Sequence, residues 1–371
     1  MIIEFLKKIF KIISHGITFK IYGKIEKSIS FNEDKRIKVE IVNIDKDLSY
    51  RIFNISNGRL YTDRIHDTAI LIDNKIIKEP SFQLRYKDSK IYNSNINENI
   101  VFQKGTPRRK KILNGRVLSL LTGGGGNENY WHWLFDVLPR LALCEKIFDI
   151  NKVDFFLLPN NKKRFQQETF DLLNIPKNKI ISSEYFRHIQ SNELWVTDHP
   201  YVITNDSTED MQNLPIWISK WLRSKYIKNN VNNNLSFPKK IYIDRNDSSF
   251  KAKNLRSIVN EEEIKNFLIK EDFKSISLGD FSFKDQVRIF NNAEVVVGLH
   301  GGGFANICFC KSGSKIIELK SQNAGKAIEH LAKTNELVYK SISCIPTKLD
   351  KNTQLGHINV SVDLLSKLIK E

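Results

Sequence analysis

Apolar positions along the chain change period several times, and each change marks a boundary. In MIIEFLKKIFKIISHG they fall at 2, 3, 5, 6, 9, 10, 12 and 13, with Lys7, Lys8 and Lys11 in the gaps. That helical period predicts a basic amphipathic helix over residues 1–20. Glu4 and the lack of a small-residue cleavage site argue against a secretory signal. Residues 21–114 read as a β-rich region, with runs IKVEIVNI, YRIFNI and TAILIDNKII. Asn57-Gly58 and Asp73-Asn74 are turn signals between them, the first a good hairpin candidate.

From residue 115 strands and helices alternate. RVLSLL leads into the run Gly123, Gly124, Gly125 and Gly126, read as a flexible entrance loop, and then into an apolar helix over 130–148. VDFFLLP and ELWVT read as strands, RFQQETFDLLNI and PIWISKWLRSKYI as helices. This predicts one α/β domain over 115–228. The Asn-rich NNVNNNLSFP is the linker candidate. A second α/β domain follows over 235–350, in the strand-helix order of a doubly wound sheet, with a C-terminal helix over 351–371. Asn260 with Glu263, and Ser282 with Asp285, are helix-start signals.

Hydrophobic residues make up 41% of the 371 positions, so a large core can form and disorder is excluded. No run approaches the roughly 20 apolar residues of a spanning helix. Four Cys with no CxxC pair do not build a disulfide framework or a structural zinc site. A reducing cytoplasm is the compartment expected. Lys and Arg number 58 against 42 acidic residues, a net charge of +16. Such a surface favours anionic partners, although an AT-rich coding sequence would also enrich Lys, Asn and Ile. No recognition helix, zinc finger or aromatic RNA motif points to a specific nucleic acid.

The chemistry concentrates in two places. In GLHGGGFANICFCKSG a buried strand ends at His300, and Gly301, Gly302 and Gly303 turn into a short helix. Unshielded amides at a helix start form an anion site, with a diphosphate as the natural occupant. The spacing is neither GxGxxG nor a P-loop, and no G-x-S-x-G elbow accompanies it, against an esterase oxyanion loop. Arg245 closes the strand KIYIDR, where a guanidinium could clamp phosphate; a salt bridge with Asp244 or Asp247 is the simpler alternative. Glu318, at the next strand end, could hold ribose hydroxyls or pair with a Lys. Asn306 and His300 shape the turn and could touch phosphate or sugar.

The second place is the helix NENYWHWLFDVLPRLALCEKIF. Asn129, His132, Asp136 and Arg140 form one polar line on an otherwise apolar surface. Such a line must face a cleft or paired groups. His132 and Asp136 are spaced to touch, and a carboxylate raises the basicity of an imidazole that it orients. Asn129 and Arg140 would line the same acceptor-side cleft. Pro139 is expected to kink the helix. Asp45-Lys46-Asp47 is the only DxD in the chain and reads as a solvated turn.

Taken in order, NYWHWLFDVLPRL, KIYIDR with LRSIVNEEEI, and FKDQVRIFNNAEVVVGLHGGGFANICFCKSGSKIIEL resemble glycosyltransferase family 61, whose bacterial members include capsular-polysaccharide enzymes. The family more often reads HGAGLTN where this chain has HGGGFAN, so Gly302, Phe304 and Ala305 depart from it. The resemblance implies a GT-B fold, two Rossmann-like domains about a central cleft. It also implies an inverting transfer from a nucleotide sugar to a hydroxyl of a glycan or lipid-linked glycan, with no metal and no further cofactor. On that basis His132 is favoured as the base, with Asp136 orienting it and Asp136 itself the close rival. Arg245, His300, Gly301, Gly302, Gly303, Asn306 and Glu318 would hold the donor. The basic N-terminal helix would rest on the anionic inner face of the cell membrane, placing a cytoplasmic enzyme at its periphery. A binding protein of the same fold without catalysis is the competing expectation.

Overall fold

Strand-forming runs from opposite ends of the first 210 residues meet as neighbours. The computed structural model describes residues 2–63, 67–81, 83–87, 90–121, 128–204, 206–227, 237–246, 255–347 and 356–371. Two compact units emerge, Met1–Asp210 and Met211–Glu371. The glycine run at 123–126, Asp247 and most of the expected linker lie outside the described residues.

In the first unit ten strands share one mixed sheet. They are β1 (Lys27–Ile29), β2 (Ile37–Asn43), β3 (Ser49–Ser56), β4 (Arg59–Thr62), β5 (Thr68–Ile72), β6 (Lys75–Ile77), β9 (Lys111–Ser119), β10 (Phe155–Leu158), β11 (Ile180–Ser182) and β12 (His188–Thr197). β7 (Leu84–Lys87) and β8 (Lys90–Asn93) form a separate ribbon. β12 organises the sheet. One of its edges pairs in parallel with β9. The other pairs antiparallel with β3 and then with β4. Residues 21–114 are therefore part of the same sheet as the segment after 115, which corrects the expected boundary there and the expected Rossmann-like domain over 115–228. β12, β9, β10 and β11 pair in parallel as neighbours, and at the far edge β1 pairs in parallel with β6.

Of the two turn signals, the second makes the hairpin. Asp73, at φ 51°, closes the hairpin of β5 and β6, pairing Ile72 with Lys75. Asn57-Gly58 makes no hairpin. The Asn57 N–H donates to the Asn192 carbonyl at 2.9 Å, so β3 and β4 follow one another along β12. A Cβ at Gly58 would stand 2.9 Å from both Ile55 Cγ2 and Leu194 Cβ, so only glycine fits. Phe53, Ile55, Leu60, Val117, Leu157 and Leu194 form the core beneath.

The second unit holds β13 (Lys240–Asp244), β14 (Lys274–Ser277), β15 (Val295–Leu299), β16 (Lys315–Ser321) and β17 (Val338–Cys344). All pair in parallel, in the order β14-β13-β15-β16-β17. The chain steps outward from β13 to β14 and returns to β15 on the other side, so the strand order reverses between β13 and β15. Open α/β sheets bind ligands at the carboxyl ends of strands flanking such a switch. Side chains alternate across the sheet. Tyr242, Val297 and Ile317 share one face with Ile264, Leu268 and Leu365 of the helices Glu261–Lys270 and Val362–Lys370. The opposite face carries Ile243 against Gly303.

The helix Ile216–Tyr226 belongs to this unit, which moves the boundary from the expected linker to 210/211. Arg223 donates to the carbonyls of Cys308 and Cys310 at 3.0 and 2.5 Å, and the rings of Tyr226, Phe283 and Phe309 pack edge-on. Ser282 caps its helix as expected, accepting from the Asp285 N–H at 3.1 Å. Asn260 does not cap. Its amide exchanges bonds of 2.9 and 3.0 Å with the backbone of Val360 and straps the C-terminal segment to the sheet.

Candidate functional site

The line of polar residues sits on a helix of changing pitch. Tyr130–His132 is α-helical, Trp133–Val137 is a π turn, and Pro139–Glu145 is α-helical again. Pro139 has no N–H to give the Phe135 carbonyl, and the Leu138 N–H instead reaches five residues back to Trp133 at 3.1 Å. The expected single helix with a kink is thus a helix with one wide turn, and the wide turn carries Asp136.

Asp136 is buried, 2% exposed, and both carboxylate oxygens are engaged. Oδ2 meets His132 Nδ1 at 2.8 Å. Oδ1 accepts the Tyr201 hydroxyl at 2.5 Å. His199 Nε2 stands 3.9 Å from Oδ2. The His132 side chain keeps 21% of its surface exposed, against 3% for Asp136. Burial pulls the His132 imidazole down, but the charge and hydrogen bond of Asp136 outweigh it, and the net shift is upward from 6.5. For Asp136, burial pushes up and is outweighed by His132, His199 and Tyr201, for a net lowering from 3.8. Burial takes His199 down to about 3, so it is neutral at physiological pH. With Nδ1 committed to the carboxylate, Nε2 is the nitrogen of His132 left to accept a proton.

The other two members of the line serve the scaffold. Asn129 caps the helix, accepting from the Trp131 N–H at 3.0 Å. Arg140 is 2% exposed. It donates to the Asp136 carbonyl at 3.1 Å and to the Thr197 carbonyl and hydroxyl at 3.2 and 3.1 Å. Both were expected to line a cleft; for Arg140 this is corrected, since backbone acceptors at the helix and at the end of β12 claim its buried guanidinium, whereas Asn129 stays exposed with its amide oxygen spent on the cap. Arg140 so fixes the helix to β12, whose continuation supplies His199 and Tyr201. A polar cavity of about 570 Å³ adjoins the same segment, lined among others by Arg51, Glu79, Ser94, Asp198, His199 and Thr204.

In the second unit the expected donor residues gather at the switch between β13 and β15. Arg245 follows β13, and His300 follows β15, its N–H donating to the Leu319 carbonyl at 2.9 Å. Gly302–Phe309 is a 3₁₀ helix in place of the expected α-helix start. A Cβ at Gly301 would meet only the Leu299 carbonyl at 3.8 Å and Arg245 Cζ at 4.0 Å. One at Gly303 would lie 2.9 Å from Leu278 Cδ1 and 3.2 Å from Ile243 Cγ2. Gly303 is therefore bare because the sheet lies beneath it, whereas Gly301 is bare on the side of Arg245.

Glu318 is fully buried. His300 Nδ1 meets Oε1, and the Tyr339 hydroxyl donates to Oε2. Lys320 Nζ stands 3.7 Å from Oε2. Direct ribose binding by Glu318 is corrected: its oxygens are taken, and it orients His300 as Asp136 orients His132. Asn306 is also fully buried, its amide donating to Gln286 Oε1 at 3.1 Å. It pins the 3₁₀ helix to Phe283–Asn292 and does not meet phosphate.

The two tyrosines were missed in the sequence because nothing in their spacing ties them to the carboxylates. Tyr201 reaches Asp136 across 65 residues. Tyr339 reaches Glu318 only because β16 and β17 pair. Asp45-Lys46-Asp47 lies in the connection of β2 and β3, where the Asp47 N–H donates to Asp45 Oδ1 at 3.1 Å. Among the described residues, no group of three or more His, Cys, Asp or Glu side chains forms a metal-binding cluster, and no helix is long and apolar enough to cross a membrane.

The sequence model of glycosyltransferase 61 matches residues 130–317, just over half of the chain. The match runs from the helix of His132 through Arg245 to the glycine turn. No curated protein matches the chain. With the paired imidazole and carboxylate in one unit and the glycine turn at the strand switch in the other, the chain belongs to glycosyltransferase family 61 and is a glycosyltransferase.

Proposed function

We propose that the protein is an inverting, metal-independent enzyme that moves a sugar from a nucleotide-sugar donor to a hydroxyl of a glycan, of the capsular or cell-surface class. One observation carries the assignment of roles: both oxygens of buried Asp136 are occupied, by His132 and Tyr201. Asp136 then orients, and His132 Nε2 takes the acceptor proton as the hydroxyl attacks the anomeric carbon. The bond to the leaving diphosphate breaks as the new glycosidic bond forms on the opposite face. Negative charge grows on the diphosphate, and the amides of the glycine turn with Arg245 stabilise it where other enzymes use a metal. Donors of this kind are each worth about 3 kcal/mol of barrier. The doubly wound second unit supports donor binding, and a GT-B arrangement is the architecture this chemistry would use. The polar cavity beside His199 would take part of the glycan acceptor.

The N-terminal helix Ile2–Tyr22 supports a peripheral place at the inner membrane face. Its later part is tied to the first unit by His15 on the Lys104 carbonyl and by the Tyr22 hydroxyl, which accepts from the Lys110 N–H. Phe5, Phe10, Ile13 and Ile17 are exposed, the pattern of an interfacial helix.

The test is a panel of nucleotide sugars with the full chain, read by thermal shift and by release of nucleotide. A true donor at 100 times its dissociation constant adds about 2.7 kcal/mol. His132→Ala and Asp136→Asn are expected to bind donor and lose turnover. Full activity in His132→Ala would remove the base. Binding without turnover in the wild type would leave a non-catalytic protein of this fold.

A further inference from the structure

Arg256 lies in the run LRSIVNEEEI, and its surroundings are unusual for an arginine. Its Nη1 donates to the His300 carbonyl at 3.3 Å. The carbonyl of Arg256 itself accepts from Arg245 Nη1 at 3.5 Å. The two arginines are therefore held together, and Arg245 in turn lies within 4.0 Å of where a Cβ on Gly301 would be. Arg256 Nε is buried without a hydrogen-bond partner. Among the described residues no carboxylate stands within ion-pair distance of Arg256; Glu318, the nearest acidic influence on it, is committed to His300 and Tyr339. Burial, and then the charge of Arg245, lower the guanidinium to about 10, so it stays charged at neutral pH.

A half-buried cation beside a like charge, with its buried Nε donor unspent, is unfavourable unless something anionic completes it. The position is the switch between β13 and β15, beside a turn of bare amides. We propose that Arg256 is a second anion-binding guanidinium of this cradle, and that its ligand is a diphosphate held between Arg245 and Arg256 over the Gly301–Gly303 turn. Two guanidiniums match two phosphate groups, and each fork can bind two oxygens. The proposal rests on the donor-binding role given above to this turn and extends it to a residue outside the expected set. Arg256 then acts on the leaving group, and its bond to the His300 carbonyl couples phosphate binding to the imidazole that Glu318 holds.

A merely structural Arg256 would anchor the His300 carbonyl and nothing more. The two roles separate in one experiment on the full chain, with inorganic pyrophosphate as probe, titrated by calorimetry beside thermal melting of the free protein. Arg256→Gln keeps an amide donor and removes the charge. It is expected to weaken pyrophosphate at least 10-fold while the melting temperature of the free protein stays level or rises. Arg256→Lys, which keeps the charge and loses the fork, is expected to fall between. Unchanged pyrophosphate affinity in Arg256→Gln, or in Arg256→Lys should the first variant fail to fold, overturns the proposal. So does a wild type that does not bind pyrophosphate. Pyrophosphate binding that depends on Arg256, with no nucleotide sugar turned over, would keep this site and remove the transfer reaction.

Discussion

The Tyr201 hydroxyl donates to Oδ1 of Asp136 at 2.5 Å, on the oxygen opposite the one that meets His132. Tyr339 does the same for Glu318, opposite His300. Each unit thus carries one imidazole fixed by a buried carboxylate, and each carboxylate is completed by a tyrosine from a neighbouring strand or its continuation. A carboxylate with one oxygen left bare inside a protein costs about 1–3 kcal/mol. The tyrosines remove that cost and hold the carboxylate plane, and so fix the imidazole.

Tyr201→Phe leaves Asp136 Oδ1 without its donor. The variant should lose about 1–3 kcal/mol of stability in denaturant melts. Negative charge then concentrates toward His132, whose titration followed by NMR should move further upward. A Tyr201→Phe protein as stable as the wild type, with His132 titrating unchanged, would show that the hydroxyl does not support the pair.

The pair also sets a pH dependence. His132 titrates above its ordinary 6.5 in the folded chain, so its contribution to stability is full below 6.5 and is lost as pH rises through the folded value. Asp136 titrates below 3.8, so its contribution is present above 3.8 and is lost as pH falls through the lowered value. The pair supports the fold most strongly between these limits. A base must be neutral to accept a proton, so kcat/KM should rise with pH through a value above 6.5. In Asp136→Asn the His132 titration should drop, because burial then acts unopposed. Stability curves and an NMR titration check both signs.

Gly301→Ala and Gly303→Ala should behave oppositely. Space at Gly301 is ordinary and its φ of 166° is extended, so alanine is tolerated by the fold. The new methyl points toward Arg245, however, and pyrophosphate binding should weaken. At Gly303 the methyl meets Leu278 and Ile243, and stability should fall by about 1–3 kcal/mol. Equal melting temperatures for the two variants would refute the distinction.

In the proposed reaction, arginine and backbone donors stabilise the charge on the leaving diphosphate. EDTA should therefore leave turnover of an identified nucleotide sugar unchanged, while Arg245→Ala should reduce donor affinity. Loss of activity in EDTA with recovery on adding a divalent cation would return that role to a metal.

Removal of residues 1–16 should abolish flotation with anionic vesicles, since those residues carry most of the exposed apolar face. Exposure reaches 74% at Phe10 and 69% at Ile3, and burying such side chains in the bilayer boundary favours binding by area. The part of the helix that contacts the first unit remains. Equal flotation of the shortened and full chains would place membrane contact elsewhere or nowhere.

The sequence by itself determined what local physics can encode. The doubly wound second unit, the glycine turn after Val295–Leu299, and the contact of His132 with Asp136 all follow from period, spacing and the i, i+4 geometry of one helix. Tertiary structure decided everything that depends on a distant partner. The Asn57-Gly58 turn became a step along β12 because Asn192 was there to bond it. Arg140, Asn129 and Asn306 were drawn into the scaffold by orphaned backbone and amide groups. Glu318 was closed off by His300 and Tyr339, and Arg256 was carried to Arg245 with no carboxylate among the described residues to meet it. Pattern in a chain reports which face a residue takes; which polar group satisfies which is settled only when strands far apart in sequence lie side by side, because a buried donor or acceptor must find its partner in space.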